Sequence, residues 1–157
     1  GGLDSSLITA LVNRFITENN SNKVLNTYAI GMEGATDLEN AQICADHIKT
    51  NHHNVVFTPD EGIQAIEDVI YALESFDITT VRASVGMYLL SKYISHETDD
   101  IVIYSGEGSD EVTQGYLYFH NAPTPIDGVN ESLRLMNQLH WYDVCRVDRA
   151  VSNHGLE

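Results

Sequence analysis

Gly1-Gly2-Leu3-Asp4-Ser5-Ser6 opens the chain: two glycines, an acid and two hydroxyls that run straight into an apolar-periodic stretch. Leu3, Leu7, Ile8, Leu11, Val12 and Phe15 fall on one helical face, so the stretch reads as a glycine turn feeding a helix N-terminus. Such a turn lets the backbone approach an anion. The unpaired N–H groups of the first helical turn and the positive end of the helix dipole then favour phosphate. Ser5 and Ser6 can add hydroxyl donors, whereas Asp4 repels a phosphate unless a cation lies between them. Phosphate together with Mg²⁺ is the sharp reading. An ordinary loop with a helix N-cap has the same composition, and no Walker A pattern, G-x-x-x-x-G-K-[ST], occurs in the chain. The decision falls to residues further along.

Composition narrows the choice. The 157 residues suit one domain with a real core, and a hydrophobic content of 43% describes a globular protein. A formal charge of −15, from 23 acidic and 8 basic residues, argues against nucleic acid or an anionic membrane as partner. It also implies that a polyphosphate arrives with its own Mg²⁺. Cys44 and Cys145 are far apart and outside any C-x-x-C context, which suggests neither a disulfide framework nor a zinc site. Without an apolar run of membrane-spanning length or a signal-peptide pattern, the expectation is a soluble, cytoplasmic chain. Its abrupt opening is that of a segment of something longer.

Beyond the first helix, which the polar run 17–22 ends, residues 24–30 (VLNTYAI) read as a strand. Gly31 and Gly34 bracket a tight loop, and Thr36 with Glu39 suggests a capping box for a helix carried by Leu38, Ala41, Ala45 and Ile48. His52 and His53 lead into a second strand, Val55-Val56-Phe57. Neighbours in a strand point to opposite faces, so the two histidines are badly placed to share a metal. Thr58-Pro59-Asp60-Glu61 is an N-cap, a proline at the first helical position and a closing Glu. Ile63, Ile66, Ile70 and Leu73 define the helix that follows. The next helix buries Val81, Val85, Tyr88 and Leu89 and carries Arg82 in its first turn, against the preference of the helix dipole. Asp100 to Ser105 (DIVIYS) reads as a centre strand covered on both faces. It ends in Gly106-Glu107-Gly108-Ser109-Asp110-Glu111, an acidic glycine loop at a strand's carboxyl end, where open α/β sheets bind ligands. Self-repulsion makes such a cluster costly unless a cation or cationic group relieves it. An aromatic run, 115–120 (GYLYFH), is expected in the core. A helical region from about 130 to 149, with Leu133, Met136, Trp141, Tyr142 and Val144, ends near His154-Gly155. Strands alternating with helices predict a parallel sheet covered on both faces.

A phosphate-cradling turn and an acidic glycine loop at strand ends of one sheet describe a nucleotide site with bound Mg²⁺. In this order, GGLDSS at 1–6, YAIGMEGATDLENA at 28–41, HHNVVFTPDEG at 52–62, ESFDITTVRASVGMYLLSKYI at 74–94, YSGEGSDE at 104–111, GYLYFHNAP at 115–123 and RVDRAVSNHGLE at 146–157 resemble the synthetase domain of glutamine-hydrolysing asparagine synthetases. These belong to the PP-loop ATP pyrophosphatase group, with an adenine nucleotide alpha hydrolase-like fold. The resemblance covers essentially the whole chain. The first motif marks only the broad group, while YSGEGSDE with the RAS helix and the YLYFH run is particular to the asparagine synthetase branch.

The resemblance implies roles for individual positions. Gly1, Gly2, Asp4, Ser5 and Ser6 would form the pyrophosphate loop, with Asp4 reaching Mg²⁺. Ile30 and Ser105-Gly106 would meet the adenosine part of ATP, largely through backbone groups. Glu107 would be the acid tied to formation of a β-aspartyl-AMP intermediate, with Asp110 a second Mg²⁺ ligand. Thr79, Thr80, Arg82, Glu111 and Tyr116 would surround aspartate, Arg82 offering its planar fork to a carboxylate. The reaction implied is that of a carbon–nitrogen ligase. Aspartate's side-chain carboxylate attacks the α-phosphorus of ATP, pyrophosphate leaves, and ammonia from a glutaminase domain displaces AMP.

Measured against that family, residues 1–157 are a partial synthetase domain, truncated at both ends. The strand before the first glycine, the glutaminase domain with its nucleophilic cysteine, and a downstream lysine are outside it. Val85-Gly86 stands where Thr-Pro is usual. The isolated segment is therefore expected to be inactive. A related amidotransferase or β-lactam synthetase acting on another carboxylate, or a silent nucleotide-binding relative, stays open as an alternative. So does a homo-oligomer.

Overall fold

The computed structural model describes residues 1–19, 23–141 and 143–157. Helix α1, Leu3–Glu18, starts at Gly2, whose extended backbone (φ −71°, ψ 165°) makes it the N-cap. Strand β1, Asn26–Gly31, follows, then α2, Thr36–Ile48, and β2, Asn51–Val56. The two strands pair in parallel, from Asn26 opposite Asn51 to Gly31 opposite Val56, with α2 as the crossover that parallel pairing requires. Ile30 points at Gly86 of the long helix α5, Ile78–Glu97, while a methyl on Gly31 would stand 3.1 Å from Leu38 of α2. Successive strand residues face opposite ways, so helices cover both faces, as expected.

Between β2 and α5 lie α3, Pro59–Gln64, and α4, Ile66–Leu73. The cap of α3 is the box read from the sequence: Thr58 N donates to Glu61 Oε2 at 2.7 Å, and Glu61 N donates to Thr58 Oγ1 at 3.2 Å. The box expected at Thr36 is absent. The turn at Gly34 (φ +76°) makes Ala35 the N-cap, so Glu39 sits one residue too late to close back. Downstream come the short α6, Ser109–Thr113, a 3-10 turn at Leu117–Asn121, α7, Pro125–Gln138, another 3-10 turn at Leu139–Trp141, and α8, Asp143–Ser152.

The core joins α4, α5 and α8. Ala65, Val69, Leu73, Tyr88 and Ala150 are buried together, and Ile94, Val151 and Leu156 continue the cluster towards Tyr28 and Ile103. Each large aliphatic group so buried contributes about 1.5–3 kcal/mol. Ser84 and Ser91 are buried in α5 without loss, because their hydroxyls donate to Thr80 O at 2.7 Å and Met87 O at 2.8 Å.

Several expectations are corrected. The buried row here is Ala65, the N-cap of α4, with Val69 and Leu73 of α4, while Ile63 of α3 and Ile66 are exposed. Leu133, Met136, Trp141 and Val144 are exposed as well, and Tyr142 and residues 20–22 lie outside the described residues. Within the aromatic run only Phe119 is buried; Leu117 and Tyr118 are exposed.

The predicted centre strand at 100–105 is not a sheet strand. Among the described residues the sheet has two strands, and β1 pairs only with β2. Residues 101–103 instead hydrogen-bond to Glu157, Ile103 N to its carbonyl at 2.7 Å and Glu157 N to Ile101 O at 2.8 Å. Asp100 ties the start of this segment to β1 by accepting from Asn26 Nδ2 at 2.8 Å and from the Tyr28 hydroxyl. Burial, then that hydrogen bond to Asp100, pushes the Tyr28 hydroxyl up to about 12. Beyond Asp100 a cleft of about 570 Å³ opens, with β1 and residues 102–105 both on its lining. The face of α1 divides accordingly: Ile8, Val12 and Ile16 line the cleft, and Leu3, Leu7, Leu11 and Phe15 are exposed.

Candidate functional site

The cleft gathers both motifs. Gly2, Asp4 and Ser5 from the start of α1 share its lining with Ser105, Gly106, Glu107, Gly108, Asp110, Glu111 and Tyr116. The two loops touch. A methyl on Gly106 would lie 2.8 Å from Asp4 Cβ and 2.9 Å from Ser5 N, so only glycine lets the acidic loop come this close to the first turn of α1. Gly1 is equally tight against α2, where a methyl would lie 2.7 Å from Ala41 N. Ser5 Oγ donates to Gly2 O at 3.2 Å and Ser6 N to the same carbonyl at 3.1 Å, which completes the first helical turn. Its N–H groups and the positive helix end lie at the cleft.

The acidic loop is held by its own bonds. Glu107 N donates to Ser105 Oγ at 3.2 Å, and Gly108, with φ +86°, caps α6. Glu111 is 5% exposed, and its buried carboxylate accepts from the Tyr116 hydroxyl at 2.6 Å. Tyr116 stacks on Tyr118 and Tyr118 on Phe119, with ring centroids 5.8 Å and 4.8 Å apart, which orients that hydroxyl. Asp4, Glu107, Asp110 and Glu111 thus place carboxylates around one cavity.

The structure does not bring every predicted residue there. Thr79, Thr80 and Arg82 lie at the start of α5 outside the cleft lining, and Asp77 caps that helix by accepting from Thr80 N at 2.7 Å. The helix begins at Ile78, so Arg82 falls beyond the first turn rather than in it. Ile30 lines a separate cavity against α5, and β1 reaches the cleft instead through Asn26, Thr27 and Tyr28. His52 and His53 are apart: His52 Nδ1 meets Thr27 Oγ1 at 2.9 Å, and His53 stacks on Tyr28.

One site residue went unread in the sequence. Arg146 of α8 pairs with Glu107, Nη2 to Oε2 at 2.9 Å, and its side chain is 12% exposed. The acidic loop needs a cationic group, and the chain has only 8 basic residues. Nothing in the local pattern around 146 pointed back across 39 residues to Glu107.

Among the described residues no group of three or more His, Cys, Asp or Glu is placed to hold a metal. Asp4 and Asp110 both line the cleft, Asp110 with its Oδ1 packed against Gly115. Nor is any helix of the described residues long and apolar enough to cross a membrane.

Comparison with known proteins identifies the family. The asparagine synthase family model matches residues 1–131. Over all 157 residues the chain is 56% identical to the glutamine-hydrolysing asparagine synthetase of Gallus gallus, 55% to that of Homo sapiens and 54% to that of Rattus norvegicus. The chain spans 28% of the length of each of these relatives. With the family model matched over most of its length, the chain belongs to the asparagine synthase family.

Proposed function

We propose that the chain is the nucleotide-binding part of an ATP-dependent asparagine synthetase, in which the aspartate side-chain carboxylate attacks the α-phosphorus of ATP. The observation that carries this is the contact between Gly106 and the Asp4–Ser5 turn. It sets a helix N-terminus and four acidic residues around one cavity, which supports attack by an anion on a polyanion.

Such a reaction needs alignment and charge neutralisation more than a protein nucleophile. The N–H groups at the start of α1 and the Ser5 hydroxyl hold the phosphates, while Ser6 lies off the cleft lining. Asp4 and Asp110 would hold Mg²⁺, which screens the polyphosphate charge. Ser105, Gly106 and the backbone of Ile30 border the adenosine. Glu107 faces the reacting centre, and Glu111 with Tyr116 offers a buried carboxylate suited to the ammonium group of an amino acid. Thr79, Thr80 and Arg82, at the start of α5 outside the cleft lining, remain the candidates for the other groups of the amino acid. Ammonia released from glutamine elsewhere in the longer protein then displaces AMP from β-aspartyl-AMP.

The test is exchange of labelled pyrophosphate into ATP, using the protein at the full length of its relatives. Exchange that requires both aspartate and Mg²⁺ is the expected result. Exchange driven by another carboxylate and not by aspartate would move the assignment to a related amidotransferase. ATP binding without exchange for any carboxylate would make the chain a silent relative.

A further inference from the structure

The guanidinium of Arg146 joins three elements. Nη2 pairs with Glu107 Oε2 at 2.9 Å, and Nη1 donates to Ala83 O of α5 at 3.4 Å. Ala83 follows Arg82 directly and lies three residues beyond Thr80. One planar, mostly buried group on α8 thus spans the acidic loop and the part of α5 that bears the amino-acid-binding candidates. Arg146 lies beyond residue 131, where the family-model match ends, but within the 157 residues aligned with the relatives.

We propose that Arg146 is a positioning residue: it fixes the rotamer of Glu107 and the distance between the acidic loop and the Thr79–Arg82 stretch. The inference rests on the adenylation reading of the site. Asp4, Asp110 and Glu111 surround the same cavity and repel Glu107, so without a cation its carboxylate would turn outward. A guanidinium holds two acceptors in a fixed fork, which an ammonium cannot. Because Arg146 is 12% exposed, water competes little for it.

The measurement is aspartate-dependent pyrophosphate exchange by the full-length protein and its Arg146→Met, Arg146→Lys, Glu107→Gln and Arg146→Met/Glu107→Gln variants, with melting temperatures recorded alongside. Arg146→Met is expected to lower kcat by about tenfold to a hundredfold, the cost of a misplaced reacting group. KM for ATP should stay within about threefold. Arg146→Lys, which can reach Glu107 or Ala83 but not both, should fall in between. In the Glu107→Gln background, Arg146→Met should remove less than about a further threefold, since the group it positions is already gone. An equal loss in both backgrounds would make Arg146 a merely structural strut and overturn the proposal. If Arg146→Met yields no folded protein, Arg146→Lys decides: lowered exchange at an unchanged melting temperature supports the proposal, and unchanged exchange overturns it. A wild-type protein without exchange would overturn the adenylation reading itself, whereas active wild type with unaffected Arg146 variants overturns this inference alone.

Discussion

Gly106 and Asp4, 102 positions apart in the sequence, are packed so closely that a single methyl on Gly106 would lie 2.8 Å from Asp4 Cβ. That contact turns a helix N-terminus and an acidic loop, each commonplace alone, into one cavity with donors on one side and carboxylates on the other.

Gly106→Ala should therefore separate the loops. The methyl meets backbone as well as side chain, so relief requires one loop to move. Such overpacking costs about 1–3 kcal/mol, and KM for ATP should rise about tenfold or more. Gly34→Ala is the control. Its φ of +76° makes alanine costly by about 1 kcal/mol, yet nothing lies within 4 Å of the added methyl, so exchange kinetics should be unchanged. Melting curves and exchange kinetics on both variants separate a site effect from a stability effect.

Asp4→Asn and Asp110→Asn should each raise the Mg²⁺ concentration for half-maximal exchange by about tenfold, with the double variant near background. A Mg²⁺ titration at fixed ATP checks this. A shift confined to one of the two would assign the cation to that carboxylate alone.

His154 gives a pH dependence of stability. Burial, then the nearby Lys92 and His96, holds its ring below the usual histidine range, and Nε2 is buried without a hydrogen-bond partner among the described residues. The unfolded chain therefore takes up the proton more readily than the folded one. This contribution is fully present above the ordinary histidine value of about 6.5 and is lost as the pH falls below it. His154→Phe keeps the edge-on packing against Tyr88, whose ring centroid is 4.5 Å away, and should flatten the fall in melting temperature between about pH 7.5 and 5.

What was legible in the sequence was local. Thr58-Pro59-Glu61 announces its helix start because the cap is made by residues three apart. The same logic failed at Thr36, where the turn at Gly34 shifted the cap by one residue. The run at 101–105 has the composition of a buried strand. Pairing, though, depends on what stands beside it, and here its partner is Glu157 with an open cleft beyond. The stripe on α1 predicts one buried face, yet Ile8, Val12 and Ile16 line that cleft while Leu3 and Phe15 stay exposed. Both glycine-bearing loops were readable as motifs because their glycines, acids and hydroxyls stand within six residues of one another, whereas their contact was not. Arg146 was not, since its partner is set by how α8 packs on α5 rather than by any spacing along the chain.

The most direct test of the central claim follows oxygen. The full-length protein, given ATP, Mg²⁺, ammonia and aspartate labelled with ¹⁸O in the side-chain carboxylate, should release AMP carrying one labelled oxygen on its phosphorus. Unlabelled AMP with asparagine still formed, or label found in inorganic phosphate instead, would contradict attack at the α-phosphorus and the site assembled around Gly106 and Asp4.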